Sequence, residues 1–132
     1  MRALDTNILV RYIAADDPVQ LALADRIMNE CRENNEQMFL SAPVLCEMVW
    51  VLGSGYRLTK REIVEELESV LMKSLFRIEH YELVRRSVYA WRGGKGDFAD
   101  YLIGEIAIHA GCRDTVTFDR GLKGSAGFTF LA

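Results

Sequence analysis

The chain has 132 residues, half of them hydrophobic, with two prolines and a formal net charge of -3. That is the size of one ordinary domain with enough apolar material for a core, and it excludes a disordered composition. No apolar run approaches the roughly 20 residues that cross a bilayer. The opening MRALDTNILVRYIAADD brings in acidic residues early and offers no small-residue cleavage site. Neither a signal peptide nor an anchor is expected, and the expected location is cytoplasmic. Cys31, Cys46 and Cys112 are odd in number and contain no C-x-x-C, which argues against disulfides or zinc and for a reducing compartment. The negative balance runs against the basic surface usual for phosphate binding. It is compatible with such binding only if acids gather in a metal site with basic residues around it.

In chain order, residues 2–5 (RALD) read as a short strand that stops at an aspartate. Residues 7–14 place Ile8, Leu9, Tyr12 and Ile13 on one helical face. Asp17 then caps a helix with Pro18 at its first position and Gln20 three residues after the cap. Residues 38–40 (MFL) form a second strand, and Ser41 caps a helix that carries Val44, Leu45, Met48, Val49 and Leu52 and ends at Gly53-Ser54-Gly55. Thr59-Lys60-Arg61-Glu62 is a capping box for a helix with Ile63, Leu67, Val70 and Leu71 on its apolar side. Residues 75–78 (LFRI) are a third strand and 81–91 a further helix, closed by Gly93-Gly94. Asp97 caps a helix through His109, with Asp100 at its third position and Gly111 just past its end. Residues 114–118 (DTVTF) form a β-branched strand stopping at Asp119, and GFTFLA supplies an edge strand. Strands alternating with helices predict an α/β layer fold with a mainly parallel central sheet of four to five strands. With no linker or repeat, residues 1–132 read as a single domain.

Ligands of open α/β sheets gather at the carboxyl ends of the strands. Asp5 and Asp119 each follow a strand, Glu47 lies early in the helix after strand two, and Asp100 lies in the first turn of its helix. Four carboxylates brought together would repel one another, and a divalent cation removes that conflict. Asp and Glu without His or Cys suit Mg²⁺ or Mn²⁺ rather than zinc, and such an ion activates water for phosphodiester hydrolysis.

These residues carry a resemblance. Asp5-Thr6-Asn7 after the first strand, Ser41 to Glu47, Gly96 to Ile103 and Thr117-Phe118-Asp119 resemble, in order and spacing, the acidic motifs of PIN domains, with the VapC-type toxins of bacterial toxin–antitoxin pairs as the nearest branch. The resemblance implies a PIN-like three-layer fold and an endoribonuclease using Mg²⁺ or Mn²⁺. It further implies Asp5, Glu47, Asp100 and Asp119 as metal ligands and catalytic residues. Asn7 and Thr117 would be polar supports, with Thr6 beside them, and Asp97 either a further ligand or only a helix cap. It also implies an RNA substrate, a cognate antitoxin and a homodimer. Arg85, Arg86, Arg92 and Lys95 are candidate contacts to RNA phosphates, against the plainer reading of a solvated helix face. Trp50 and Trp91 read as packing residues, and His80 and His109 show no partner spacing. Two alternatives remain: a metal-free PIN-like partner-binding module, and a haloacid-dehalogenase-like phosphatase. Asn7 argues against the second, because those enzymes carry a second aspartate there.

Overall fold

In the computed structural model, which describes residues 1–132, helices and strands alternate as the sequence predicts. The order is β1 (Arg2–Ala3), α1 (Thr6–Ala14), α2 (Pro18–Glu33), β2 (Met38–Leu40), α3 (Ala42–Ser54), α4 (Lys60–Met72), β3 (Phe76–Ile78), α5 (Tyr81–Gly93), α6 (Phe98–His109), β4 (Thr115–Thr117), a single 3₁₀ turn (Arg120–Leu122) and β5 (Phe128–Phe130). The α/β class and the parallel pairing are as expected. The pairing differs in extent: a three-stranded sheet, β1-β2-β3, and a two-stranded sheet, β4-β5, stand in place of one continuous sheet. Strands of two or three residues present few ladder donors, and helix caps take over the backbone directly after them. The chain forms two compact units, Met1–Tyr81 and Glu82–Ala132.

In the first unit, Arg2 pairs with Met38, and Met38, Phe39 and Leu40 pair with Phe76, Arg77 and Ile78. All three strands therefore point the same way. Helix α1 packs on α2 and α3. Leu9, Met28, Met38, Leu40, Leu45, Met48, Leu52 and Leu67 are fully buried and form the core. The helix starts follow from local chemistry. The Asp17 carboxylate accepts from the Val19 and Gln20 N–H groups at 3.1 Å, and the Ser41 hydroxyl accepts from Val44 N–H at 3.4 Å. At Thr59 the reciprocal box forms, with Glu62 N–H donating to the Thr59 hydroxyl and Thr59 N–H to the Glu62 carboxylate. Helix α3 runs on through Gly53 and Ser54, and Gly55 is its C-cap.

A polar triangle braces this unit. The Arg11 guanidinium donates to Asp16 at 3.1 Å and to the Tyr56 hydroxyl at 2.8 Å, and Tyr56 donates to Asp16 at 3.0 Å. Partial desolvation pushes the Asp16 carboxyl up, but the Tyr56 and Arg11 hydrogen bonds outweigh it and hold the group below the usual carboxylate range. This contribution to stability is present at neutral pH and is lost as the pH falls through the lowered folded value.

In the second unit, Val84, Val88 and Trp91 of α5 and Phe98, Tyr101 and Leu102 of α6 are buried. Trp91 meets Phe98 edge to face at 5.9 Å, and Tyr101 meets Phe128 at 6.4 Å. Gly104 is required here: a Cβ on it would stand 2.7 Å from the Phe128 ring. Strand β4 pairs with β5 from Thr115–Phe128 to Thr117–Phe130.

Leu45→Ala is expected to cost about 2–5 kcal/mol in urea unfolding, as for other fully buried leucines. Tyr56→Phe is expected to raise the Asp16 titration midpoint followed by NMR. An unmoved midpoint would remove Tyr56 as a cause of the depressed value.

Candidate active site

Asp5 follows β1 and serves as the N-cap of α1, its carboxylate accepting from the Thr6 N–H at 2.8 Å. Thr6 is buried, and its hydroxyl donates to Glu47 Oε1 at 3.2 Å across 41 residues of sequence. Glu47 is on α3, one turn after its N-terminus, and is itself exposed. The Asp5-Thr6 step and Glu47 are thereby brought together: Thr6 touches both acids, one through its amide and one through its hydroxyl. Asn7 is exposed and makes no hydrogen bond to either carboxylate; it lines a cleft between α1 and α2 with Ile8, Arg11 and Leu23.

In the second unit, Asp97 is the N-cap of α6 and Asp100 its third residue. Asp100 Oδ2 accepts from the Asp97 N–H at 3.0 Å, and the Asp97 carbonyl accepts from the Asp100 N–H at 3.0 Å. Asp119 follows β4. Its Oδ1 accepts from Gly121 N–H at 2.8 Å, and its own N–H donates to the Thr117 hydroxyl at 3.0 Å. Thr117 therefore supports the backbone of Asp119 rather than its carboxylate. The segments carrying these acids lie against each other. A Cβ on Gly96 would stand 2.5 Å from Leu122 Cδ2, and one on Gly121 would stand 3.0 Å from the Lys95 carbonyl. The Tyr101 hydroxyl also accepts from Gly96 N–H at 3.1 Å.

A common pattern emerges. Asp5, Glu47, Asp100 and Asp119 each engage one carboxylate oxygen in a hydrogen bond and leave the other without a protein partner. Each side chain is thus oriented yet keeps an oxygen for a further ligand. With their carboxylates turned to local donors, no three His, Cys, Asp or Glu side chains converge on one point.

The chain matches the PIN domain family over residues 2–126. It belongs to that family. It is also 26% identical over 123 residues to a VapC ribonuclease of Aquifex aeolicus, covering 93% of this chain and 90% of the relative.

Other charged residues of this PIN domain sort into engaged and free. Arg85 pairs with Glu82 at 3.0 Å and Arg86 with Glu105 at 3.3 Å, so half of the expected basic cluster is already committed to carboxylates. Lys95 is exposed and has no ion pair; Arg120, which the sequence reading did not single out, is exposed and likewise unpaired. Glu79 was also missed. It directly follows β3, as Asp5 follows β1 closely, and its carboxylate accepts from the Ala42 N–H at 2.8 Å, where α3 begins. An acid directly behind a strand was the signal available for it. Trp91 packs as expected, but Trp50 does not: it is 71% exposed on α3, because the apolar stripe of that helix runs through Leu45, Met48 and Leu52 instead. No helix is long and apolar enough to cross a membrane. The cysteines are all free: Cys31 buried, Cys46 half-buried and Cys112 exposed.

Gly96→Ala tests the contact between the two acid-bearing segments of the second unit. The added methyl collides with Leu122, and a loss of about 1–3 kcal/mol is expected in urea unfolding. Gly93→Ala, where a Cβ meets nothing within 4 Å, is expected to be near neutral.

Proposed function

We propose that this PIN domain is a metal-dependent endoribonuclease that hydrolyses RNA phosphodiesters, and that it is the toxin of a toxin–antitoxin pair. In this reading residues 1–132 act as a single cytoplasmic PIN-like domain, working as a homodimer and silenced by a cognate antitoxin. The observation that carries the reading is the Thr6–Glu47 hydrogen bond, which ties the acid after β1 to the acid on α3. The near full-length similarity to a VapC ribonuclease supports it.

The donor chemistry fits Mg²⁺ or Mn²⁺. Asp5, Glu47, Asp100 and Asp119 offer only hard carboxylate oxygens, each with one oxygen uncommitted. Bound there, the ion supplies an activated water and charge neutralisation at the scissile phosphate. The chain's own residues do the rest. Thr6 aims Glu47, the Gly121 amide aims Asp119, and the Asp97 amide aims Asp100. Asp97 serves chiefly to start α6. Lys95 is the better phosphate contact of the basic cluster, since surface ion pairs already occupy Arg85 and Arg86.

Total RNA incubated with the protein in EDTA, Mg²⁺ and Mn²⁺ tests the reading. Discrete cleavage is expected with metal only, and none from Asp5→Asn or Asp100→Asn. Cleavage by Asp5→Asn at the wild-type rate would overturn the mechanism. Thr6→Val keeps the packing volume but removes the hydroxyl, and is expected to lower Mn²⁺-dependent cleavage about 10–100-fold, the usual loss when a ligand's supporting hydrogen bond is deleted.

A further inference from the structure

Strand β4 alternates. Thr115 and Thr117 are half-buried, whereas Val116 is 62% and Phe118 80% exposed. Scattered exposed apolar side chains need no explanation, but the position of Phe118 does. It immediately precedes Asp119, and Arg120 follows, so an aromatic ring, a carboxylate and a guanidinium are exposed in succession. The support beneath them is stiff. The Thr117 hydroxyl holds the Asp119 amide, Asp119 holds Gly121, and Leu122 is buried. Gly121 sets this turn against the Lys95 carbonyl, so Arg120 and Lys95, two exposed cations without an ion pair, belong to adjoining segments.

We propose that Phe118 is a stacking platform for one unpaired nucleobase of the RNA, with Arg120 and Lys95 taking the neighbouring phosphates. The proposal rests on the ribonuclease reading and adds a residue that selects single-stranded RNA. Bases in loops and single strands are splayed out and stack on aromatic side chains, whereas those of a duplex are not accessible. With the backbone around it already tied down, stacking orders only the side chain of Phe118. The charges decide between RNA and a protein partner. The centre of a protein interface is depleted of Asp and Lys, though not of Arg or aromatics, and Phe118 is followed by the Asp119 carboxylate in a segment that adjoins Lys95. Nucleic acid uses all three: the ring for the base, the cations for phosphate and the acid for the ion.

The test is binding of a 2-aminopurine-labelled single-stranded RNA decamer in EDTA, beside the same decamer annealed to its complement. Wild type is expected to bind the single strand and quench the label, and to bind the duplex more weakly. Phe118→Leu should weaken single-strand binding about tenfold or more, and Phe118→Trp should retain it. Arg120→Gln should weaken binding and flatten its salt dependence. Because Phe118 is exposed, all variants are expected to keep the wild-type urea midpoint. Wild-type affinity in Phe118→Leu, or equal losses in Phe118→Leu and Phe118→Trp, would overturn the proposal. So would an unchanged affinity together with a lower sedimentation coefficient, which would assign the ring to a protein contact. If wild type cuts RNA with Mn²⁺ while Phe118→Leu binds normally, this proposal alone fails; if wild type neither binds RNA in EDTA nor cuts it with Mn²⁺, both readings fail.

Discussion

Parallel pairing of β1, β2 and β3 is the constraint on which the first unit depends. Strands that all point one way deliver their carboxyl ends to one edge, and the first helix of each crossover starts there. That edge receives Asp5 after β1, Ser41 after β2 and Glu79 after β3. The exposed backbone N–H groups at the helix starts then need acceptors. Asp5 and Ser41 supply them from within their own helix starts, and Glu79 supplies one to α3 from across the sheet edge. The buried Thr6 adds a link between α1 and α3, its hydroxyl reaching Glu47. Structural capping and the proposed chemistry therefore use the same side chains.

A chain with net charge -3 that is to hold a polyanion must keep its acids local. Its carboxylates do this in two ways. Some are neutralised at the surface, as Glu82 is by Arg85 and Glu105 by Arg86. The candidate ligands instead lean on backbone amides or on a hydroxyl, partners that orient a carboxylate without cancelling its charge. A divalent ion is the partner such half-satisfied carboxylates would suit, and it would offset part of the negative charge that a phosphate would otherwise meet there.

The features legible in the sequence are those set within four or five residues. Asp17, Ser41, Thr59 and Asp97 all stand at helix N-caps because the capping side chain and its amide partners are neighbours in sequence. The strand positions were legible for the same reason. The division of five strands into sheets of three and two was not, since pairing is a long-range choice made by only a few hydrogen bonds in strands this short. The role of Thr6 was hidden likewise: its partner lies 41 residues away, and the sequence pointed equally to Asn7. Exposure of individual aromatics was also out of reach, because Trp50 and Trp91 sit in similar helical contexts yet only Trp91 is covered.

The central claim is that Asp5 and Glu47, acids distant in sequence but joined through Thr6, hold one ion. Calorimetric titration of Mn²⁺ into the wild type, Asp5→Asn, Glu47→Gln and the double variant tests it most directly. Saturable binding that falls in both single variants, with little further loss in the double, is the expected result, because residues sharing one ligand are not additive. Independent, additive losses, or undiminished binding in Glu47→Gln, would contradict it.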